Sequence, residues 1–161
     1  MSINSKGKTG FLTVPLRKST WGPALWKTLH GLGKWLGEIK EKDERCKKTR
    51  EAWEFTKTLL ESIPCPECKA HALIEYKSTL YQDPVETMEK WYQVWVFVFH
   101  NKVNKRIHKR ALSWEESEEL VKEMDPIKYF DSYYKSINGW RIQRIKIFFS
   151  VFDNFLKSLK S

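Results

Sequence analysis

Apolar residues recurring every three or four positions, in long runs closed off by proline, constrain this chain more than any other feature of its sequence. A 3.6-residue period gathers such positions into one stripe along an α-helix, and no stretch keeps the two-residue alternation of a half-buried strand. Only seven glycines and six prolines punctuate 161 residues, and no internal repeat is visible. The expected fold is therefore all-α.

The punctuation sets the expected elements. A first helix fits from Thr20, with Pro23 in its first turn and Trp26, Leu29, Leu32, Gly33 and Leu36 at helical spacing. The charged run Lys40 to Arg50 opens a second helix, whose apolar side (Trp53, Leu59, Leu60, Ile63) ends at Pro64. Pro66 begins a third, reaching about Leu80 and placing Cys65 at a helix N-terminus, where partial positive charge favours thiolate. The longest helix is expected over Val85 to Lys109. Ser113-Trp-Glu-Glu116 is a capping box for a short fifth helix ending near Met124. Asp125-Pro126 and then Gly139 break the pattern, and an amphipathic stretch rich in phenylalanine runs from Trp140 to Leu159. The expected division is a flexible arm over residues 1–18, a domain over 19–125 and a helical extension over 126–161.

Composition narrows the function classes. The formal charge is +9, which suits nucleic acid, anionic membrane, acidic protein or a phosphate-bearing cofactor, and equally a solubilising coat. No secretory signal and no bilayer-length apolar run are visible, so a cytoplasmic setting is expected. Three cysteines make no disulfide framework, and in such a compartment a CxxC serves redox chemistry or metal.

Three segments carry the chemistry. Cys65-Pro-Glu-Cys68-Lys-Ala-His71 supplies a dithiol or, with His71, three zinc ligands; spacing alone divides redox from metal about evenly, and the βαβ context of a thioredoxin fold is absent. Trp26 and His30 lie four apart on one helix face, and His100, Asn104 and His108 share another, with Lys105 and Lys109 alongside. Neutral donors next to cations suit a ring edge at one end and phosphates at the other. Lys102 to Arg110 holds five Lys or Arg, which would serve nucleic-acid phosphates or simply solvate a helix end.

In their order and intervals, Trp21-Gly-Pro-x-x-Trp26-x-x-Leu-His30, Cys65-x-x-Cys68-x-x-His71 and Phe99-His100-Asn101-x-Val103-Asn104 resemble the Erv/ALR flavin-linked sulfhydryl oxidases. The similarity covers about residues 20 to 125 and is greatest to the short forms encoded by large cytoplasmic DNA viruses. It implies a four-helix bundle plus a short fifth helix, usually a homodimer, in which FAD takes electrons from the CxxC and passes them to molecular oxygen with release of hydrogen peroxide. Thiol-containing protein substrates would exchange with Cys65, and Cys68 would face the flavin. By the same resemblance Trp26, His30, His71, His100, Asn101, Val103, Asn104 and Lys109 line the cofactor. Gly22 lets the backbone approach it, Lys105 and Arg106 sit near its phosphates, and Trp114 is a further candidate. No metal is implied. The host cytoplasm or a virion is the implied location. A zinc-binding helical adaptor and a basic nucleic-acid-binding protein are the alternatives.

The arm has no cysteine for a second, shuttle disulfide, and neither Cys46 nor the tail has a counterpart in the family pattern. The tail's aromatic face is expected to pack on the domain or across a dimer. Contact with anionic lipid through its basic face is the second choice.

Overall fold

The computed structural model describes residues 17–79, 89–137 and 142–160, the last segment with side chains from residue 146. These form seven α-helices and no strand: α1 (Lys18–Gly37), α2 (Lys42–Glu61), α3 (Pro66–Ser78), α4 (Trp91–Arg106), α5 (Trp114–Val121), α6 (Pro126–Ile137) and α7 (Ile142–Lys160). The all-α expectation holds. Residues 1–16, most of the expected arm, lie outside the described residues, as do 80–88, Gly139 and Trp140.

Several boundaries differ from the sequence reading for local reasons. The Arg17 carbonyl accepts from Thr20 N–H at 2.9 Å, so a tight turn starts α1 at Lys18 with no side-chain cap. Pro23 then falls in the second turn, and its missing N–H leaves the Ser19 carbonyl without its helical donor. The charged run is split at Glu41, whose carboxylate accepts from the N–H groups of Asp43 (3.1 Å) and Glu44 (2.6 Å) and caps α2.

Helix α4 begins at Trp91, after a turn at Glu89–Lys90, and stops at Arg106 rather than Lys109. His108 takes a left-handed conformation (φ 62°). Lys109 N–H reaches back to Asn104 O (2.8 Å) and His108 N–H to Lys105 O (3.2 Å), the pair of bonds that closes a Schellman cap. His108 is thus beyond the helix and does not share the face of His100 and Asn104.

The capping box at Ser113 and Glu116 forms in both directions, at 3.1 and 3.0 Å. Asp125-Pro126 does more than break a pattern. Asp125 Oδ1 accepts from Ile127 N–H at 2.9 Å and Pro126 occupies the first helical position, so the dipeptide starts α6, a helix the spacing did not reveal.

Helix α1 is the hub, and α6 and α4 lie against it along more of its length than any other helix. Two glycines set those approaches. A Cβ at Gly33 would stand 2.9 Å from Gln93 Cα on α4, and one at Gly31 would stand 2.6 Å from Met124 O and 2.9 Å from Pro126. One apolar cluster joins Leu29, Leu32 and Leu36 of α1, Leu59 and Leu60 of α2, Val96 of α4, Phe130 and Tyr133 of α6, and Phe152 and Leu156 of α7. The phenylalanine face of α7 therefore packs within the chain, against Phe55 and Phe130. No described helix is long and apolar enough to cross a membrane.

Candidate redox site

Pro64 ends the link from α2, and Pro66 starts α3 at its first position, which holds Cys65 as the N-cap in an extended conformation (φ −100°, ψ 112°). Cys65 and Cys68 are joined by a disulfide with Cα atoms 5.2 Å apart. Cys65 Sγ also accepts from Cys68 N–H at 3.2 Å. Both sulfurs thus sit in the first turn of a helix, where the unpaired N–H groups stabilise a thiolate when the pair is reduced.

Cys68, but not Cys65, lines a cavity of about 690 Å³ walled by α1, α3, α4 and α5. Its ring side is built by two helices. Trp26 of α1 stacks flat on His100 of α4 (centroids 4.0 Å apart, 6° between planes) and tilts against Phe99 at 4.9 Å. His30 Nε2 and His100 Nδ1 share a hydrogen bond of 2.9 Å. Burial, and then the facing imidazole of His100, lowers the His30 pKa to about 3. Burial, and then the Lys109 ammonium, lowers that of His100 to about 4. Both rings are neutral at physiological pH, so one donates and the other accepts. Lys18, Lys27, Arg106 and Lys109 also line the cavity and bring positive charge to it.

Two buried polar atoms on lining residues, His30 Nδ1 and Ser117 Oγ, have no protein partner. Such atoms are rare in folded proteins and are usually satisfied by water or a ligand. Gly22 also lines the cavity, and a Cβ built on it meets no atom within 4 Å. Nothing in the protein itself demands glycine there.

The sequence-predicted residues divide. Gly22, Trp26, His30, Cys68, His71, His100, Val103, Asn104, Arg106 and Lys109 come together around the cavity. Cys65, Asn101, Lys105 and Trp114 do not line it. Asn101 instead bonds the Leu112 backbone both ways, donating to its carbonyl (2.9 Å) and accepting from its N–H (2.9 Å), and so pins the α4–α5 link. Lys105 is exposed. Trp114 meets Phe97 edge-on at 5.3 Å.

Sequence reasoning missed Lys27 and the wall given by Ser117, Leu120, Val121 and Met124. The capping box located α5; which of its faces turns inward depends on how α5 meets α1, which no local pattern states.

The rival chemistries find less support. The sulfurs of Cys65 and Cys68 are bonded to each other, and no metal-binding group of three or more His, Cys, Asp or Glu forms among the described residues. In the basic run, Lys102 pairs with Glu75 (3.0 Å) and Arg110 with Glu116 (2.8 Å), which breaks up a strip of phosphate-binding cations.

A helical bundle that holds a dithiol pair in a helix's first turn, against a ring-walled and positively charged cavity, defines a redox protein with room for a planar, phosphate-bearing group. The chain belongs to the Erv1/Alr family, whose model matches residues 23–125. It is 32% identical over 112 residues to the FAD-linked sulfhydryl oxidase of African swine fever virus (isolate Tick/Malawi/Lil 20-1/1983), covering 68% of this chain and 87% of that relative. The corresponding proteins of isolates Pig/Kenya/KEN-50/1950 and Warthog/Namibia/Wart80/1980 are 32% and 31% identical over 104 residues, in each case 64% of this chain and 81% of the relative. No solved structure matches the chain.

Proposed function

We propose that the chain is an FAD-dependent thiol oxidase that forms disulfide bonds in thiol-bearing polypeptides. The position of Cys68 carries this reading, because it is bonded to Cys65 and also lines the one wall of the cavity that α3 contributes. The residues fit FAD. A cavity of about 690 Å³ is within the size range of ligand sites. Stacked rings, two unpartnered buried polar atoms, open space at Gly22 and lysine and arginine side chains match a heteroaromatic ring system joined to a pyrophosphate.

In the proposed cycle a substrate thiolate attacks Cys65 Sγ and displaces the Cys68 thiolate, giving a mixed disulfide. A second substrate thiolate attacks the substrate sulfur of that mixed disulfide and displaces Cys65. The substrate is oxidised, the pair is reduced, and two protons pass to solvent. Bound FAD supplies the acceptor for the pair's two electrons and their transfer to molecular oxygen, which leaves as hydrogen peroxide. Trp26, His30, His71, His100, Val103 and Asn104 would hold the rings, and Arg106 and Lys109 the phosphates. Lys105 would add positive charge nearby, while Asn101 and Trp114 would act by bracing α4 and α5. The proposed setting is the cytoplasm of a host cell or the virion interior.

An absorption spectrum tests the reading. The purified protein should be yellow, should bleach when a dithiol is added without oxygen, and should recover on aeration with formation of peroxide. A protein that stays colourless after incubation with FAD would overturn it.

A further inference from the structure

A serine or threonine buried inside a helix ordinarily turns its hydroxyl back onto the carbonyl four residues earlier. Thr28, Thr49 and Thr56, all buried in α1 and α2, do this at 2.7 Å. Ser117 of α5 does not. It is 1% exposed, and its backbone N–H takes the Ser113 carbonyl at 3.0 Å, yet its Oγ has no protein partner. A hydroxyl in that state has given up water without gaining a bond, a standing cost to the free protein.

Ser117 lines the cavity that Cys68 also lines, but on the α5 wall rather than the α3 wall. Around it that wall is apolar, with Leu120, Val121 and Met124. Leu120 is 49% exposed, and Ile107, which lines the same cavity just past the end of α4, is 39% exposed. One cavity therefore holds large apolar side chains without a cover and a hydroxyl without a bond. A flat heteroaromatic ring answers both, because its faces cover apolar side chains and its edge makes hydrogen bonds. FAD has two such ring systems. The redox-active one must lie against Cys68, which leaves adenine for the α5 wall. Adenine presents an amine donor and ring-nitrogen acceptors, and a serine hydroxyl can meet either.

We infer that Ser117 is a specificity residue: its hydroxyl bonds the adenine of bound FAD and makes the chain prefer FAD to FMN, which carries the same flavin ring without the adenosine. The inference rests on the oxidase reading above, which supplies FAD as the ligand. Because the hydroxyl is already stripped of water in the free protein, forming its bond to the ligand requires little further desolvation on the protein side. One buried hydroxyl can thus discriminate strongly between ligands that offer it a partner and ligands that do not.

Flavin titrations and thermal melts of the full chain and of Ser117→Ala test it. The variant should bind FAD about tenfold more weakly than the native chain, the loss of one well-made hydrogen bond. Its flavin-free form should melt at a higher temperature, because alanine removes the stranded hydroxyl and is the better helix former. Affinity for FMN and the visible spectrum of bound FAD should stay as in the native chain. FAD bound equally tightly by both proteins overturns the inference, and so does a lower melting temperature of the flavin-free variant, which would mark the hydroxyl as part of the fold. An equal loss of FMN affinity, or a shifted spectrum, would put Ser117 against the flavin ring and overturns it as well. A native chain that takes up no FAD at all is a different result, since it removes the oxidase reading itself.

Discussion

Cys65 and Cys68 stand one helical turn apart and face different surroundings: Cys68 lines the cavity, whereas Cys65 caps the helix outside it. Either Cys65→Ala or Cys68→Ala should reduce turnover of a model dithiol to background while FAD stays bound, because each removes one half of the exchange. Near-full activity in either variant would sink the assignment. Cys46 is buried in α2, apart from the disulfide, and Cys46→Ala should keep most of the activity. A second residue-scale prediction follows from the neutral imidazoles. Both folded-state pKa values lie below the ordinary 6.5, at about 3 for His30 and about 4 for His100. As pH falls below 6.5 the unfolded chain takes up protons at these rings and the folded chain does not. Their contribution is therefore fully present above that pH and is lost on acidification toward pH 4. Urea midpoints should fall between about pH 7.5 and about pH 5, and fall less in the paired variant His30→Leu/His100→Leu. An equal fall in both proteins would mean the pair does not govern acid sensitivity. Residue types were the most legible part of the site, since a dithiol, rings and cations are written in the sequence. Orientation was not. Asn101 and Asn104 look equivalent on paper, yet Asn104 lines the cavity and Asn101 fastens a link.

At the scale of the element, helix starts and stops were legible where a side chain makes the terminal bonds. Ser113 and Glu116 announce α5, and Pro66 announces α3. Ser113→Ala should cost about 1 kcal/mol, the usual loss for removing an N-cap oxygen, read as a lower denaturation midpoint. The failures came where the backbone, rather than a side chain, decides. The α4 terminus rests on a left-handed residue, and histidine gives no sign of that. His108→Gly should raise stability by about 1 kcal/mol, because the Schellman cap stays and the Cβ strain at φ 62° goes. A lowered midpoint would show that the imidazole makes a compensating contact. Helix α6 was hidden for another reason. Asp-Pro reads as a break after one helix and equally as a cap and first residue of the next, and Phe130, Tyr133 and Ile137 acquire an inward direction only once α1 is beside them.

Across the whole molecule, α1 serves the cavity on one side and the C-terminal helices on the other, and two of its glycines separate these duties. Gly31 is required by the fold: a Cβ there meets Met124 O at 2.6 Å and Pro126 Cδ at 2.9 Å, and neither backbone can yield freely. Gly31→Ala should lose about 1–3 kcal/mol through overpacking, with or without FAD. It should also loosen FAD, because Met124 is itself part of the cavity wall. Gly22 is free of any such contact. Alanine at this helical position removes backbone freedom from the unfolded chain and should stabilise the apoprotein by about 0.5–1 kcal/mol. If FAD lies close against the α1 backbone, the added methyl should nonetheless weaken its binding by about tenfold, equivalent to roughly 1.4 kcal/mol. The two variants therefore differ in sign: Gly31→Ala lowers both stability and affinity, whereas Gly22→Ala raises the melting temperature of the apoprotein and lowers affinity. Thermal melts of the apo and loaded forms, beside a flavin titration, read both quantities. Unchanged affinity in Gly22→Ala would show that the cofactor keeps away from that stretch of α1 and that the open space there has another use.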